Sequence, residues 1–250
     1  MKIGHIEIGC ETDIDTLVIS QLQTGSVWFI PEDRFPRNGM IRAIVAAGDT
    51  EIGDRLIQSV AQCLTHPQLS IRTEAVAIVQ ELPKRFGVRL ILTHLQNNLP
   101  LYREITLSEP SYAQTQRSAC YTLEESLLAA LAAIVDANDS ETIAYLRQAA
   151  LAVTYRRPIA SRLAILDTEW VLNHVPELVS GEKGGSVAKG ILLCLPSMVA
   201  REIFIYQLKV SSLVAQEQIL FALKEDRTFA RVIPEADRQK LLVLLQVKIY

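Results

Sequence analysis

The stretch Leu64-Thr65-His66-Pro67-Gln68-Leu69-Ser70-Ile71-Arg72-Thr73-Glu74-Ala75-Val76 constrains this chain more than any other. Upstream, Ile52, Leu56, Val60 and Leu64 recur at every fourth residue, the repeat of one helix face. Downstream, Ile71, Ala75, Ile78, Val79 and Leu82 form a second such stripe. Pro67 marks a turn between them, because proline fixes its own dihedral and gives up a backbone donor. The two helices therefore fold back on each other, with the small Ala75 on the inner face. A lone helical hairpin cannot bury both apolar flanks, so the pattern calls for further helices stacked beside it.

The rest of the chain supplies them. Met40, Ile41, Ile44 and Val45 lie at helix-face spacing, Gly48 stands ready to end that helix in a left-handed conformation, and Asp49 or Thr50 can cap the next. Pro83 disturbs the end of the helix carrying Leu82, and Gly87 reads as a stop. Residues 88–99 read as a further helix ended by Pro100. Residues 100–121 show little periodicity and read as an insertion or an ordered loop. Thr122-x-x-Glu125 and Asn138-x-x-Glu141 have the form of capping boxes, predicting helices over 123–135 and 141–154 that make a second hairpin. In the latter helix Ile143, Leu146, Ala150 and Val153 share a face. Pro158 opens a helix through Ile165, and Asp167 or Thr168 caps one that runs to about Val175. Residues 180–186, Ser-Gly-Glu-Lys-Gly-Gly-Ser, read as a flexible connector. Helices over 187–195, 198–207, 213–223 and 234–247 complete the series. Residues 1–36 differ: Ile6 and Ile8 alternate with Glu7 as in a short strand, 16–22 fit a short helix, and Val27-Trp28-Phe29-Ile30 is an apolar run closed by Pro31.

The Pro turn, the Ile71-Arg72 pair and the inward Ala75 make residues 51–86 resemble a HEAT repeat. That resemblance implies an all-α fold of the α-α superhelix type. At about 40 residues per helical pair the chain holds five or six hairpins, a single domain over 1–250. Residues 1–36 are its irregular N-terminal cap and 37–250 its helical repeats. It also implies that Arg72 joins neighbouring repeats by pairing with an acid or a free carbonyl; the plain alternative is a solvated surface arginine. Proteins similar to HEAT repeats use a long groove to hold another macromolecule, so a non-enzymatic protein-binding scaffold or adaptor is the first functional expectation. Some HEAT-like proteins are bilin lyases or lyase subunits acting on phycobiliproteins, and others are DNA glycosylases. No active-site motif of either stands in this chain. A helix bundle fused to a small domain is the remaining alternative.

Charge narrows the partners. Residues 1–138 carry 11 Lys/Arg against 16 Asp/Glu and residues 139–250 carry 14 against 12, within a net charge of −3. A nucleic-acid binder needs a cationic footprint to release counterions from phosphate, and this chain has none of that size. The four cysteines, at 10, 63, 120 and 194, show no CxxC spacing and read as reduced core residues of a cytoplasmic protein. Met1-Lys2-Ile3-Gly4-His5 is followed by acids rather than an apolar run, so no signal peptide is expected.

Chemistry-bearing patterns are sparse, and no catalytic, cofactor or metal-ligating set is expected. His5, His66, His94 and His174 are far apart in sequence. Cys63-x-x-His66 offers two metal ligands where a structural zinc site wants four. No GxSxG elbow occurs. Around residues 181–190 the order of Gly and Lys is wrong for a phosphate loop, which ends in Gly-Lys-Ser/Thr. The acid pairs Glu32/Asp33, Glu124/Glu125 and Glu225/Asp226 fit helix starts and turns. The most suggestive polar patch is Tyr155-Arg156-Arg157, extended by Tyr145, Arg147 and Gln148 off the apolar stripe of the preceding helix. Tyr and Arg are frequent in binding hot spots, which makes these six residues the candidate partner-binding set. The alternative is ordinary helix-end chemistry, with cations near the negative dipole end. Trp28 and Trp170 read as core residues.

Overall fold

A computed structural model describes residues 2–3, 6–7, 13–25, 35–104, 123–153 and 156–246. The described chain is almost entirely helical and gathers into two compact units, Met1–Ile134 and Val135–Tyr250. No described helix is long and apolar enough to cross a membrane.

In the first unit two short antiparallel strands, β1 (Lys2–Ile3) and β2 (Ile6–Glu7), pair Lys2 with Glu7 and Ile3 with Ile6. Helix α1 (Ile14–Gly25) follows, held at its start by Asp13, whose carboxylate accepts the Thr16 amide at 3.1 Å. It buries Ile14, Val18 and Leu22 against α2 (Phe35–Ala47), α3 (Glu51–Cys63) and α4 (Leu69–Glu81). Gly48 ends α2 with φ +56°, as its position predicts. Thr50 caps α3, its hydroxyl accepting the Gly53 amide at 3.3 Å. The two stripes that define the first hairpin are buried: Leu56 and Val60 from α3 with Leu64 just beyond its end, and Ile71, Ala75, Ile78 and Val79 from α4, with Leu82 closing it.

Helix α5 (Lys84–Glu104) corrects two expectations. Gly87 is not a stop but a helical residue at a close approach. A Cβ there would lie 2.9 Å from the Val79 carbonyl oxygen of α4 and 2.8 Å from Cδ1 of Ile134. Pro100 does not end the helix either; it lies inside α5 and costs one backbone hydrogen bond. Ile91, Leu92 and Leu95 are buried, and α5 and α4 both pack against α6 (Leu123–Ile134). Thr122 and Trp28 lie outside the described residues, as does most of 100–121.

The second unit opens with α7 (Ser140–Ala152). Its cap is Asp139, one residue later than expected: Oδ1 accepts the Thr142 amide at 3.0 Å and Oδ2 the Thr142 hydroxyl at 2.7 Å. A carboxylate that takes both bonds outcompetes the neighbouring Asn138. Helix α8 (Arg157–Leu166) packs on α7, on α9 (Thr168–Asn173) and on α11 (Gly184–Cys194), while α10 (Val175–Leu178) bridges to α12 (Met198–Ser211). Asp167 ends α8 and caps α9, accepting the Trp170 amide at 3.4 Å. Trp170 is half-buried rather than core, stacked on His174 with ring centres 4.4 Å apart.

The segment 180–186 is only partly a connector. Gly181 turns with φ +82°, but Gly184 and Gly185 begin α11. At Gly184 nothing larger fits against fixed backbone, and at Gly185 a larger residue would have to displace a side-chain amide. A Cβ on Gly184 would stand 1.8 Å from the Val179 carbonyl oxygen, and one on Gly185 would stand 2.1 Å from Oε1 of Gln218. Gly190 does the same for the α8–α11 contact, where a Cβ would meet Ser161 Oγ at 2.3 Å. Helix α11 also packs on α13 (Leu213–Glu225). A short α14 (Arg227–Val232) leads to α15 (Glu235–Gln246), which buries Leu241, Leu242 and Leu245 and packs on both α12 and α13.

Candidate interaction surfaces

Two of the cations singled out in the sequence, Arg72 and Arg156, are spent on backbone carbonyls. Every helix leaves its last carbonyls without intrahelical partners, and a nearby guanidinium or ammonium satisfies them with hydrogen bond and dipole together. Arg72 is almost fully buried, and its Nη1 donates to the carbonyls of His66 at 2.6 Å and Pro67 at 2.9 Å. Those carbonyls lie in the turn of its own hairpin. Arg162 reaches the Val135 carbonyl at 2.7 Å and Lys209 the Leu244 carbonyl at 2.9 Å.

Within the six-residue patch, Arg156 follows the same rule. Arg156 donates from Nε to the Val153 carbonyl at 3.2 Å and from Nη1 to the Glu177 carbonyl at 2.6 Å, tying the end of α7 to α10. Partial burial pulls its guanidinium below the ordinary value. Arg147 pairs with Asp167, its Nε 2.5 Å from Oδ2, and so ties α7 to the α8–α9 corner. Arg157 is exposed and reaches Ser186 Oγ at 3.4 Å. Tyr145 is half-buried and Gln148 exposed, while Tyr155 lies outside the described residues.

The other polar candidates fall into structural roles as well. His66 accepts the Gln68 amide on Nδ1 at 3.1 Å, which occupies it in the turn. Cys63 is buried, and burial, with a smaller contribution from Asp15, pushes its thiol up to about 11. His94 is held below its ordinary value by burial. Among the described residues no three His, Cys, Asp or Glu side chains converge as a metal site would need.

What the sequence reading missed is apolar. Helix α12 buries Phe204, Ile205 and Leu208 in its own unit. The four residues of α12 that face solvent most fully are Val199 at 65% exposure, Ile203 at 41%, Tyr206 at 51% and Val210 at 70%. No charged side chain of this helix is exposed to that degree; Arg201, Glu202 and Lys209 are half-buried along its sides. Leu213 and Val214, also exposed, begin α13 directly after it. Single exposed aliphatic residues are ordinary, but residues spaced by four, three and four are neighbours on one helix surface and form a continuous stripe. The signal was present in Val199-Ala200-Arg201-Glu202-Ile203-Phe204-Ile205-Tyr206-Gln207-Leu208-Lys209-Val210: an apolar helix on two faces needs two partners. Ser197 caps its start, accepting the Ala200 amide at 3.2 Å, and Ser212 closes its end, so the stripe is presented by a well-terminated helix. At its side Glu202 pairs with Lys240 of α15, and that hydrogen bond and charge raise the lysine above its ordinary value.

Comparison of the chain with protein-family models, curated proteins and solved structures finds no match.

Proposed function

We propose that this chain is a non-enzymatic protein-binding scaffold or adaptor, built as a HEAT-like helical solenoid and working in the cytoplasm, and that α12 presents its docking surface. The observation that carries this reading is the apolar stripe Val199–Ile203–Tyr206–Val210 on a helix whose opposite face is already buried. Leaving such a stripe in water forfeits about 25 cal/mol for each Å² of apolar surface that a partner would cover.

The packing order supports the solenoid. In the second unit the main helix contacts run α8 with α11, α11 with α13, α12 with α15, α7 with α8, α10 with α12, and α13 with α15. Stacked repeats contact their neighbours in this way. The inward use of Arg72, Arg147 and Arg156 supports an apolar rather than a cationic docking surface. Cys63 and Cys194 carry free thiols, in keeping with a reducing compartment.

A pull-down from host extract tests the reading. The chain should retain a discrete partner, or a second copy of itself, and Ile203→Glu should abolish that retention. Arg157→Glu, on an exposed side chain outside the stripe, should leave it intact. Retention unaffected by Ile203→Glu would remove α12 as the docking surface.

A further inference from the structure

We infer that the two units are copies of one helical module, and that the outer face of α12 is where the second module departs from the first. The duplication stands on its own; the departure bears on function only through the reading of α12 as a docking surface.

The match is closest over the hairpins α3–α4 and α11–α12. Glu51-x-Gly53-x-x-Leu56-x-x-x-Val60-x-x-Cys63-Leu64 recurs 131 residues later as Glu182-x-Gly184-x-x-Val187-x-x-x-Ile191-x-x-Cys194-Leu195. Leu56, Val60 and Leu64 are buried, and so are Val187, Ile191 and Leu195. The two glycines meet the same obstacle. A Cβ on Gly53 would stand 2.2 Å from the carbonyl oxygen of Gly48, and one on Gly184 would stand 1.8 Å from that of Val179, each the fifth residue upstream. After the turn, Pro67-x-x-x-Ile71-Arg72-x-x-Ala75-Val76-x-x-Val79 recurs 129 residues later as Pro196-x-x-x-Ala200-Arg201-x-x-Phe204-Ile205-x-x-Leu208. Ile71, Ala75, Val76 and Val79 are buried in the first module, and Ala200, Phe204, Ile205 and Leu208 in the second. Both arginines bury their Nε. Self-similarity at one long period is the mark of a repeated unit.

The flanks agree. Each module opens on an aspartate that accepts the amide and the hydroxyl of the threonine three residues on: Asp13 from Thr16 at 3.1 and 2.7 Å, Asp139 from Thr142 at 3.0 and 2.7 Å. Packing repeats as well. In the first module α1 packs on α2, α2 on α3, α4 on α5 and α6, and α5 on α6. In the second α7 packs on α8, α8 on α11, α12 on α13 and α15, and α13 on α15. The stretch from the capping aspartate to the glycine is five residues longer in the second module. It carries α9 and α10, which pack on α12 where α1 and α2 pack on α4.

Equivalent positions show what is particular to α12. Val199, Ile203, Tyr206 and Val210 stand where α4 carries Ser70, Glu74, Ala77 and Glu81. Ser70 and Glu81 are exposed, as are all four residues of the α12 stripe. One place in the module thus suits water in the first unit and is apolar in the second, so the module's own packing does not call for the stripe.

Turn length tests the duplication in the full chain. Between Leu195 and Pro196 the second module lacks the two residues that the first has as Thr65 and His66. Deleting Thr65 and His66 gives the first module the second one's turn. That variant should keep the far-UV circular dichroism of the wild type and unfold cooperatively, its urea midpoint lowered by no more than about 1 M for the lost His66 carbonyl. Deleting Pro196 and Ser197 leaves a turn shorter than either module has, and should remove a large part of the helical signal. Failure of the first deletion to fold, or equal tolerance of the second, would overturn the duplication. Placing the α4 residues on α12, as Val199→Ser, Ile203→Glu, Tyr206→Ala and Val210→Glu together, should hold the midpoint within about 0.5 M of the wild type and abolish retention of the partner from host extract. Loss of fold in this variant would overturn the equivalence of α4 and α12. A folded variant that still retains the partner would overturn the docking reading alone and leave the duplication standing.

Discussion

Arg147→Ala and Asp167→Ala, made singly and together, ask whether a cation that reads as a surface contact in the sequence is spent on the fold. Arg147 places Nε 2.5 Å from Asp167 Oδ2 and brings a second nitrogen to the same oxygen. The Asp167 side chain is 16% exposed and that of Arg147 41%, so the pair is shielded on one side and screened on the other. The coupling expected of such a pair is about 1 kcal/mol, the upper end for exposed pairs and well below buried ones. Asp167 also accepts the Trp170 amide at a long 3.4 Å, and loss of that cap adds about 0.5–1 kcal/mol. Arg147→Ala should therefore cost about 1 kcal/mol and Asp167→Ala about 1.5–2 kcal/mol. The double variant should match Asp167→Ala, because the pair is already broken in either single one. Urea unfolding at low ionic strength, followed by circular dichroism and compared at constant slope, measures the cycle. About 0.5 M salt should shrink the coupling by screening. Additive losses, with a coupling below about 0.3 kcal/mol, would refute the structural role and return Arg147 to the pool of partner contacts.

Two further outcomes follow from the geometry. Gly184→Ala should destabilise by about 1–3 kcal/mol and Gly185→Ala by less, because the Val179 carbonyl cannot yield while the Gln218 amide can swing aside; urea midpoints of the two variants decide this. The Cys63 thiol ionises at an ordinary 9.0 when unfolded but near 11 when buried, so its contribution is intact below pH 9 and declines as pH rises from 9 to 11. The stability difference between wild type and Cys63→Ala should therefore shift across that window by up to about 2–3 kcal/mol, and parallel curves would show the thiol to be unshielded.

The parts legible in the sequence are those set by one helix and its own period. Leu56, Val60 and Leu64 opposite Ile71, Ala75 and Ile78 announce a hairpin because each stripe faces a single neighbour. Gly48 could be read as a stop because a Cβ there would meet nothing within 4 Å and only its positive φ matters. Gly87, Gly184 and Gly185 could not, because their meaning depends on atoms brought close through space: Val79, Val179 and Gln218. The arginine patch holds a structural role that the sequence hides for a related reason. Composition marks Arg147 and Arg156 as recognition residues, but Asp167 and Glu177 stand about 20 residues downstream, and only the folded chain shows that they take the guanidinium donors. The second stripe of α12 was legible in principle. It was obscured because Phe204, Ile205 and Leu208 fill the expected core face and make the helix look fully explained.

Amide hydrogen exchange of the full chain, recorded alone and with the protein it retains from host extract, tests most directly whether α12 is where another protein chain docks. Exchange in residues 198–213 should slow when that protein is bound, and Ile203→Glu should erase that protection. Exchange in this helix that is unchanged by the bound protein would contradict the account; so would protection that appears only elsewhere.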